Sequence, residues 1–256
     1  MIPRHEFTGR ADGPVLLLTS SLGAVGSVWD RQAAVLGRRF RLLRAETRGH
    51  GGTPAPPGPY TVDDLAGDLL DLLDAHGLRS VSVCGTSLGA MTAIQLAATA
   101  PERVDRLALC CTSAHLPPAG MWLDRARVVR EHGTGAVADG VVARWFTPAF
   151  SAANRATVTG FTNGLAAVAD EGYAACCEAI AAMDLRPRLA AVRAPALVIA
   201  GADDRATPPS HARALSDALP SARLAIVPGA HLACVESPDE VTAALVAHLA
   251  PDRLDP

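Results

Sequence analysis

The stretch that most restricts how this chain can fold is Gly85-Thr86-Ser87-Leu88-Gly89, set between Val81-Ser82-Val83-Cys84 and Ala90-Met91. An apolar β-type segment runs into a serine held between two glycines, and small and aliphatic residues at helical spacing follow. An ordinary β-α turn would account for the glycines, because φ > 0 costs them nothing. The sharper reading is the nucleophile elbow Gly-x-Ser-x-Gly. There the serine takes a strained backbone conformation on a turn so tight that the residues two positions away must lack bulk. Five residues recur by chance, so the rest of the chain must decide.

Read outward from the elbow, strands alternate with helices. Pro14–Thr19 reads as a buried strand, and the loop Ser20-Ser21-Leu22-Gly23 leads toward a helix near Trp29–Arg38. Phe40–Ala45 is a second strand, and the glycine- and proline-rich stretch from Arg48 to Pro59 is a loop. Thr61 caps a helix, with Asp64 three residues on and Val62, Leu65, Ala66, Leu69, Leu70 and Leu73 forming one apolar stripe. Ser80–Cys84 is a strand, the helix after the elbow stops at Pro101, and Val104–Cys110 is a further strand. Residues 117–188 break the alternation and read as mostly helical. It resumes with Ala196–Ala200, a helix near Ser210–Leu219, a strand at Arg223–Val227 and a last helix at Pro238–Leu249. The pattern predicts an α/β fold: a mostly parallel sheet covered on both faces, with a core of residues 1–116 and 189–256 and a helical lid of residues 117–188 inserted in it.

Composition narrows the partners. With 49% apolar and 19% charged residues the chain is globular, and 23 basic against 26 acidic residues leave a formal charge of −3. No basic run stands out, so nucleic acid and membrane surfaces are not expected as partners, and a small molecule is. Every basic side chain is arginine, which excludes Schiff-base lysine chemistry. The opening Met1–Gly13 has no apolar core of a signal sequence, and the apolar runs are too short to span a bilayer. The six cysteines lack Cys-x-x-Cys spacing, and none of the eight histidines forms a His-x-x-x-His pair. The expectation is reduced, buried thiols, a cytoplasmic protein, and no metal or cofactor.

A serine nucleophile needs a base, and the base an orienting acid. With an elbow of this kind the partners follow in the order serine, acid, histidine, each at the C-terminal end of a strand. Gly201-Ala202-Asp203-Asp204 ends one later strand and Pro228-Gly229-Ala230-His231 ends the next. The expected catalytic residues are therefore Ser87, Asp204 and His231. Asp203 is the neighbouring candidate for the acid, and Asp204 the better placed. An oxyanion hole requires two N–H groups aimed at the developing charge. One is expected from Leu88, at a helix N-terminus, and the second from Leu22. His5, His76, His132, His211 and His248 read as surface residues, and His115 as a candidate pocket residue.

These residues, the loop Thr47-Arg48-Gly49-His50-Gly51 and the strand order resemble the α/β-hydrolase superfamily over nearly the whole chain. Further stretches resemble 3-oxoadipate enol-lactonases: Ser21-Leu22-Gly23, Trp29-Asp30, Pro57–Thr61, Ala143–Pro148, Gly172–Ala175 and Ala230-His231-Leu232. The sequence departs from that pattern at Glu46 (usually aspartate), Ser20 (usually asparagine), Ala90 (usually glycine) and the pair Ala233-Cys234 (usually more polar). The resemblance implies hydrolysis of an unsaturated lactone with a carboxylate arm, in the breakdown of aromatic compounds through the β-ketoadipate route. The arm wants a cation, which without lysine must be arginine. Arg144 is the first candidate, with Trp145 packing on the ring and Ser21 also at the substrate. The alternative for Arg144 is an exposed lid face. An esterase, carbon–carbon-bond hydrolase or perhydrolase would use the same triad, and a non-catalytic ligand-binding relative would keep the same fold.

Overall fold

The computed structural model describes residues 1–249, so residues 250–256 of the expected core lie outside the described residues. Its strands are β1 (His5–Gly9), β2 (Val15–Thr19), β3 (Arg41–Ala45), β4 (Val81–Thr86), β5 (Val104–Cys110), β6 (Ala196–Gly201) and β7 (Ala222–Val227). They form one sheet in the order β1-β3-β2-β4-β5-β6-β7, with β1 antiparallel to β3 and all other neighbours parallel. Parallel strands need crossovers, and the helices supply them. In chain order these are α1 (Asp30–Leu36), α2 (Val62–Ala75), α3 (Leu88–Thr99), α4 (Ala119–His132), α5 (Gly135–Val142), α6 (Pro148–Ala153), α7 (Arg155–Ala166), α8 (Asp170–Ala182), α9 (Pro209–Ala218), α10 (Ala233–Glu236) and α11 (Pro238–Leu249).

The sequence determines these elements locally where a cap or an apolar stripe is strong. Thr61 accepts the Asp64 N–H at 3.1 Å while the Asp64 carboxylate accepts the Thr61 N–H at 2.8 Å, a reciprocal cap that starts α2. The buried face of α2 carries Val62, Leu65, Ala66, Leu69, Leu72 and Leu73. Leu70, expected in that stripe, is half-buried, and Leu72 takes its place. β4 is buried at all six positions because helices cover both faces of the sheet: α1 packs with α11, and α2 with α3.

Two elements differ from the sequence reading. β1 was not expected: HEFTG has little apolar character, and its pairing along β3 makes it an edge strand. His248, expected at the surface, is buried in the last turn of α11, with Nε2 3.1 Å from the Leu107 carbonyl on β5.

The topology places the site. β2 lies between β3 and β4, so the loops after β2 and β4 diverge from adjacent strands at the C-terminal edge of the sheet. Ligands bind at such a reversal of strand order. Between β5 and β6 the helices α4–α8 pack on one another, α4 against α8 and α5 against α7. A backbone bridge between His115 and Asp184 joins the two ends of that insertion.

Candidate active site

Ser87 sits between β4 and α3 with φ 52° and ψ −117°, a conformation that L-residues rarely adopt. The surrounding glycines make it feasible. A Cβ on Gly85 would stand 2.6 Å from the backbone of Gly89 and Ala90, and one on Gly89 would stand 2.7 Å from the backbone of Thr19 and Ser20. Gly89 is bound to the loop after β2 on both sides: its N–H donates to the Ser20 carbonyl at 3.0 Å, and its carbonyl accepts the Thr19 hydroxyl at 3.1 Å. The elbow and the β2 loop thus form one rigid unit.

The three expected catalytic side chains meet. The Ser87 hydroxyl lies 2.9 Å from His231 Nε2, and His231 Nδ1 lies 2.8 Å from Asp204 Oδ2. All three are buried. Asp204 accepts more than the imidazole: the Ala206 N–H at 2.8 Å, the Thr207 N–H at 3.0 Å and the Thr207 hydroxyl at 2.7 Å. Burial alone would push its carboxyl pKa up. The charge of His231 and these hydrogen bonds outweigh burial and hold the pKa below the ordinary value. Asp203, by contrast, is exposed and meets the histidine loop only through its backbone N–H, 2.9 Å from the Gly229 carbonyl. Gly201, at the end of β6, lets the acid and histidine loops approach, since a Cβ there would stand 2.2 Å from the Ala230 carbonyl.

Leu22 and Leu88, the expected oxyanion donors, are both buried, and Leu22 lines the cavity above Ser87. Among the described residues neither backbone N–H has an acceptor. Behind Leu22, the Gly23 N–H donates to His50 Nε2 at 2.8 Å, while His50 Nδ1 lies 2.9 Å from the Arg48 carbonyl. Burial drives the pKa of this histidine down to about 4, so the ring is neutral and keeps an acceptor toward Gly23. Glu46, the departure from the usual aspartate, accepts the Gly26 N–H at 2.9 Å and so holds the same loop farther along.

The cavity is small, about 140 Å³, and is lined by Ser21, Leu22, Ser87 and His231 from the core. The insertion contributes Trp122, Arg125, Arg144, Trp145 and Tyr173, and Arg205 stands beside Asp204. Ser21, Arg144 and Trp145, the residues expected at the substrate, all line this cavity. Arg144 is exposed on one side, yet the surrounding protein and the nearby charge of Arg125 lower its pKa. His115 is not among the lining residues. Sequence reasoning missed Arg125 and gave Tyr173 only within the stretch Gly172–Ala175, with no role in the site. The only signal for Arg125 was its position one helical turn after Trp122, which puts both on one face of α4.

The insertion is also tied to the histidine loop. Glu236 accepts the Ala230 N–H at 3.0 Å and the Thr147 N–H at 3.1 Å, and it is hydrogen-bonded to the Thr147 hydroxyl. The Leu232 N–H donates to the Trp145 carbonyl at 2.9 Å. The segment carrying Arg144 is therefore anchored on both sides of His231. The six cysteines are unpaired and buried. Among the described residues no helix is long and apolar enough to cross a membrane.

Comparison with known proteins agrees with this geometry. Residues 14–142 match the family described as alpha/beta hydrolase fold. The chain is 37% identical over 230 residues to 3-oxoadipate enol-lactonase 2 of Acinetobacter baylyi, covering 90% of this chain and 86% of that one. It superposes on the crystal structure of the enol-lactonase from Burkholderia xenovorans LB400 with a TM-score of 0.94 and 38% identity, covering 96% and 95% of the two chains. It is also 31% identical to a putative carbamate hydrolase, RutD, of Klebsiella pneumoniae, covering 86% of this chain and 85% of the relative.

Proposed function

This chain belongs to the α/β-hydrolase family, and from that premise we propose that it opens a small enol-lactone bearing a carboxylate, through an acyl-enzyme on Ser87. Ser87 Oγ attacks the ring carbonyl while His231 Nε2 takes its proton. Asp204 orients the ring through Nδ1 and stabilises the imidazolium. The N–H groups of Leu22 and Leu88 receive the oxyanion. The ring C–O bond then breaks, and the enolate that leaves is protonated and becomes a ketone. That ketone half stays tethered to the acyl group, because the ester was cyclic. Water, deprotonated by His231, attacks the acyl-enzyme, and Ser87 recovers its proton.

The observation that carries this reading is a hydrogen-bonded Ser87–His231–Asp204 chain under a cavity of about 140 Å³ whose lining holds three arginines and no carboxylate. The volume suits a small ring. The likeness to two enol-lactonases supports the lactone in particular. A second reading, carbamate hydrolysis, is favoured by the similarity to the putative carbamate hydrolase. The two differ chemically: an enolate leaves readily, whereas an amine must be protonated as it leaves.

Product analysis by mass spectrometry, with a carboxylated enol-lactone, its methyl ester, a small carbamate and a simple ester, separates them. Fastest turnover on the carboxylated lactone supports the proposal. Preference for the carbamate transfers the assignment to the second reading.

A further inference from the structure

Three partly buried arginines elsewhere in the protein meet carboxylates: Arg44 meets Asp30, Arg103 meets Asp74, and Arg48 grips Asp68 with two hydrogen bonds of 2.6 and 2.8 Å. Arg125 and Arg144 are different. Both line the cavity above Ser87, and neither forms an ion pair among the described residues. Their charges are close enough that Arg125 depresses the pKa of Arg144. Two like charges side by side in a partly desolvated cavity repel unless an anion joins them.

Tyr173 provides an independent sign. It is 0% exposed, lines the same cavity, and its hydroxyl has no hydrogen-bond acceptor. Arg125 and Arg144 are its charged neighbours, and a guanidinium can only donate. The phenolic proton therefore lacks an acceptor, which is costly for a group so deeply buried. A small anion that accepts from both guanidiniums and from the phenol would satisfy all three groups together. Arg125 is also held where it can reach such an anion. Its guanidinium lies 4.5 Å from the centre of the Trp122 ring, and the Trp122 indole N–H is fixed 3.1 Å from the Leu116 carbonyl.

We infer that Arg125, Tyr173 and Arg144 form a cradle for the substrate carboxylate, with Arg125 as a specificity-determining residue alongside Arg144. The identity of the substrate rests on the lactone reading above, whereas the presence of a carboxylate site does not. Arg125 comes from α4 and Tyr173 from α8, two helices that pack against each other, so the cradle's shape is set inside the insertion.

Calorimetric titration with succinate, and with succinamide as its uncharged counterpart, tests the cradle without turnover. The unsubstituted protein is expected to bind succinate at least about tenfold more tightly than succinamide, as charge-assisted contacts require. Arg125→Gln keeps much of the stem that packs on Trp122 and is expected to weaken succinate binding about tenfold or more. Tyr173→Phe removes one neutral donor and is expected to weaken it severalfold. Arg125→Lys should recover part of the loss, because charge returns without the planar fork. Thermal melts identify any variant that has lost its fold, and the milder Arg125→Lys and Tyr173→Phe then decide. Equal binding of succinate and succinamide, or unchanged succinate binding in both Arg125→Gln and Tyr173→Phe, overturns the cradle. Arg125-dependent succinate binding in a protein that leaves every enol-lactone intact supports the cradle and defeats the lactone assignment alone. Lactone opening with the same acid-to-methyl-ester preference in Arg125→Gln as in the unsubstituted protein does the reverse.

Discussion

The backbone N–H of Gly23 donates to Nε2 of His50 at 2.8 Å, and this contact connects the loop carrying Leu22 to a histidine that stays neutral. An imidazolium has no lone pair to accept that N–H, so the contact requires the unprotonated ring. The consequence is a stability that depends on pH. The unfolded chain protonates His50 near the ordinary value of 6.5, while the folded protein does so only near 4. Below pH 6.5 the unfolded state therefore binds more protons, and stability falls as pH drops from about 6.5 to about 4. The full loss from this residue is of order 3 kcal/mol.

His248 is shifted in the same direction and adds to the trend, so the test is a difference. Urea denaturation between pH 4 and 7 is expected to give a shallower slope for His50→Gln than for the unsubstituted protein. Parallel slopes would mean that His50 titrates alike in both states. The same variant is expected to lower kcat by up to about 10²-fold, the scale of one impaired oxyanion donor.

The adjacent acids divide by geometry. Asp204 reaches the histidine ring and Asp203 faces solvent. Asp204→Asn is expected to lower kcat by about 10⁴-fold, because the wrong imidazole tautomer is then favoured. Asp203→Asn is expected to change it by less than about tenfold, under ~1.4 kcal/mol. Steady-state kinetics of the two variants settle which carboxylate orients His231, and reversed effects would reassign it to Asp203.

Gly89 leaves no room for a side chain between α3 and the β2 loop. Gly89→Ala is expected to cost about 1–3 kcal/mol, since the atoms in the way are backbone and cannot rotate aside. Chemical denaturation measures the loss. A stability within about 0.5 kcal/mol of the unsubstituted protein would show that the elbow has slack the geometry does not indicate.

What the sequence revealed and what it hid follow from the range of the forces involved. The α2 cap is local, between Thr61 and Asp64, and could be read directly. Ser87, Asp204 and His231 lie far apart in the chain, yet each follows a recognisable strand, so the fold rule carried their meeting. β1 was hidden because an edge strand with one half-buried phenylalanine has little pattern of its own and exists by pairing with β3. His248 reads as the polar end of a helix, and only its packing against β5 buries it. Arg125, and the place of Tyr173 at the cavity, were hidden for the same reason. Which arginine of α4 faces the cavity depends on how α4 packs on α8, and neither helix carries a strong apolar stripe to fix that angle from sequence.

Arg144 bears most directly on the substrate's charge. Arg144→Ala is expected to cost a carboxylated lactone about 2–5 kcal/mol in kcat/KM, in the range of buried charge pairs at interfaces. The methyl ester of the same lactone should lose much less, and Arg144→Lys should recover part of the deficit. Paired assays give the ratio. Equal losses on acid and ester would reduce Arg144 to a support of the insertion.

The acyl-enzyme itself is the most direct test of the account. Opening a lactone leaves the whole substrate attached to the nucleophile, because its acyl and leaving groups are one molecule. An ester or carbamate leaves only the acyl part. Rapid acid quench during turnover of a carboxylated enol-lactone, followed by intact-protein and peptide mass spectrometry, is expected to show an adduct of the full lactone mass on the peptide containing Ser87. Ser87→Ala should show neither adduct nor turnover. Near-normal lactone opening by Ser87→Ala, or an adduct on a residue other than Ser87, would contradict the account.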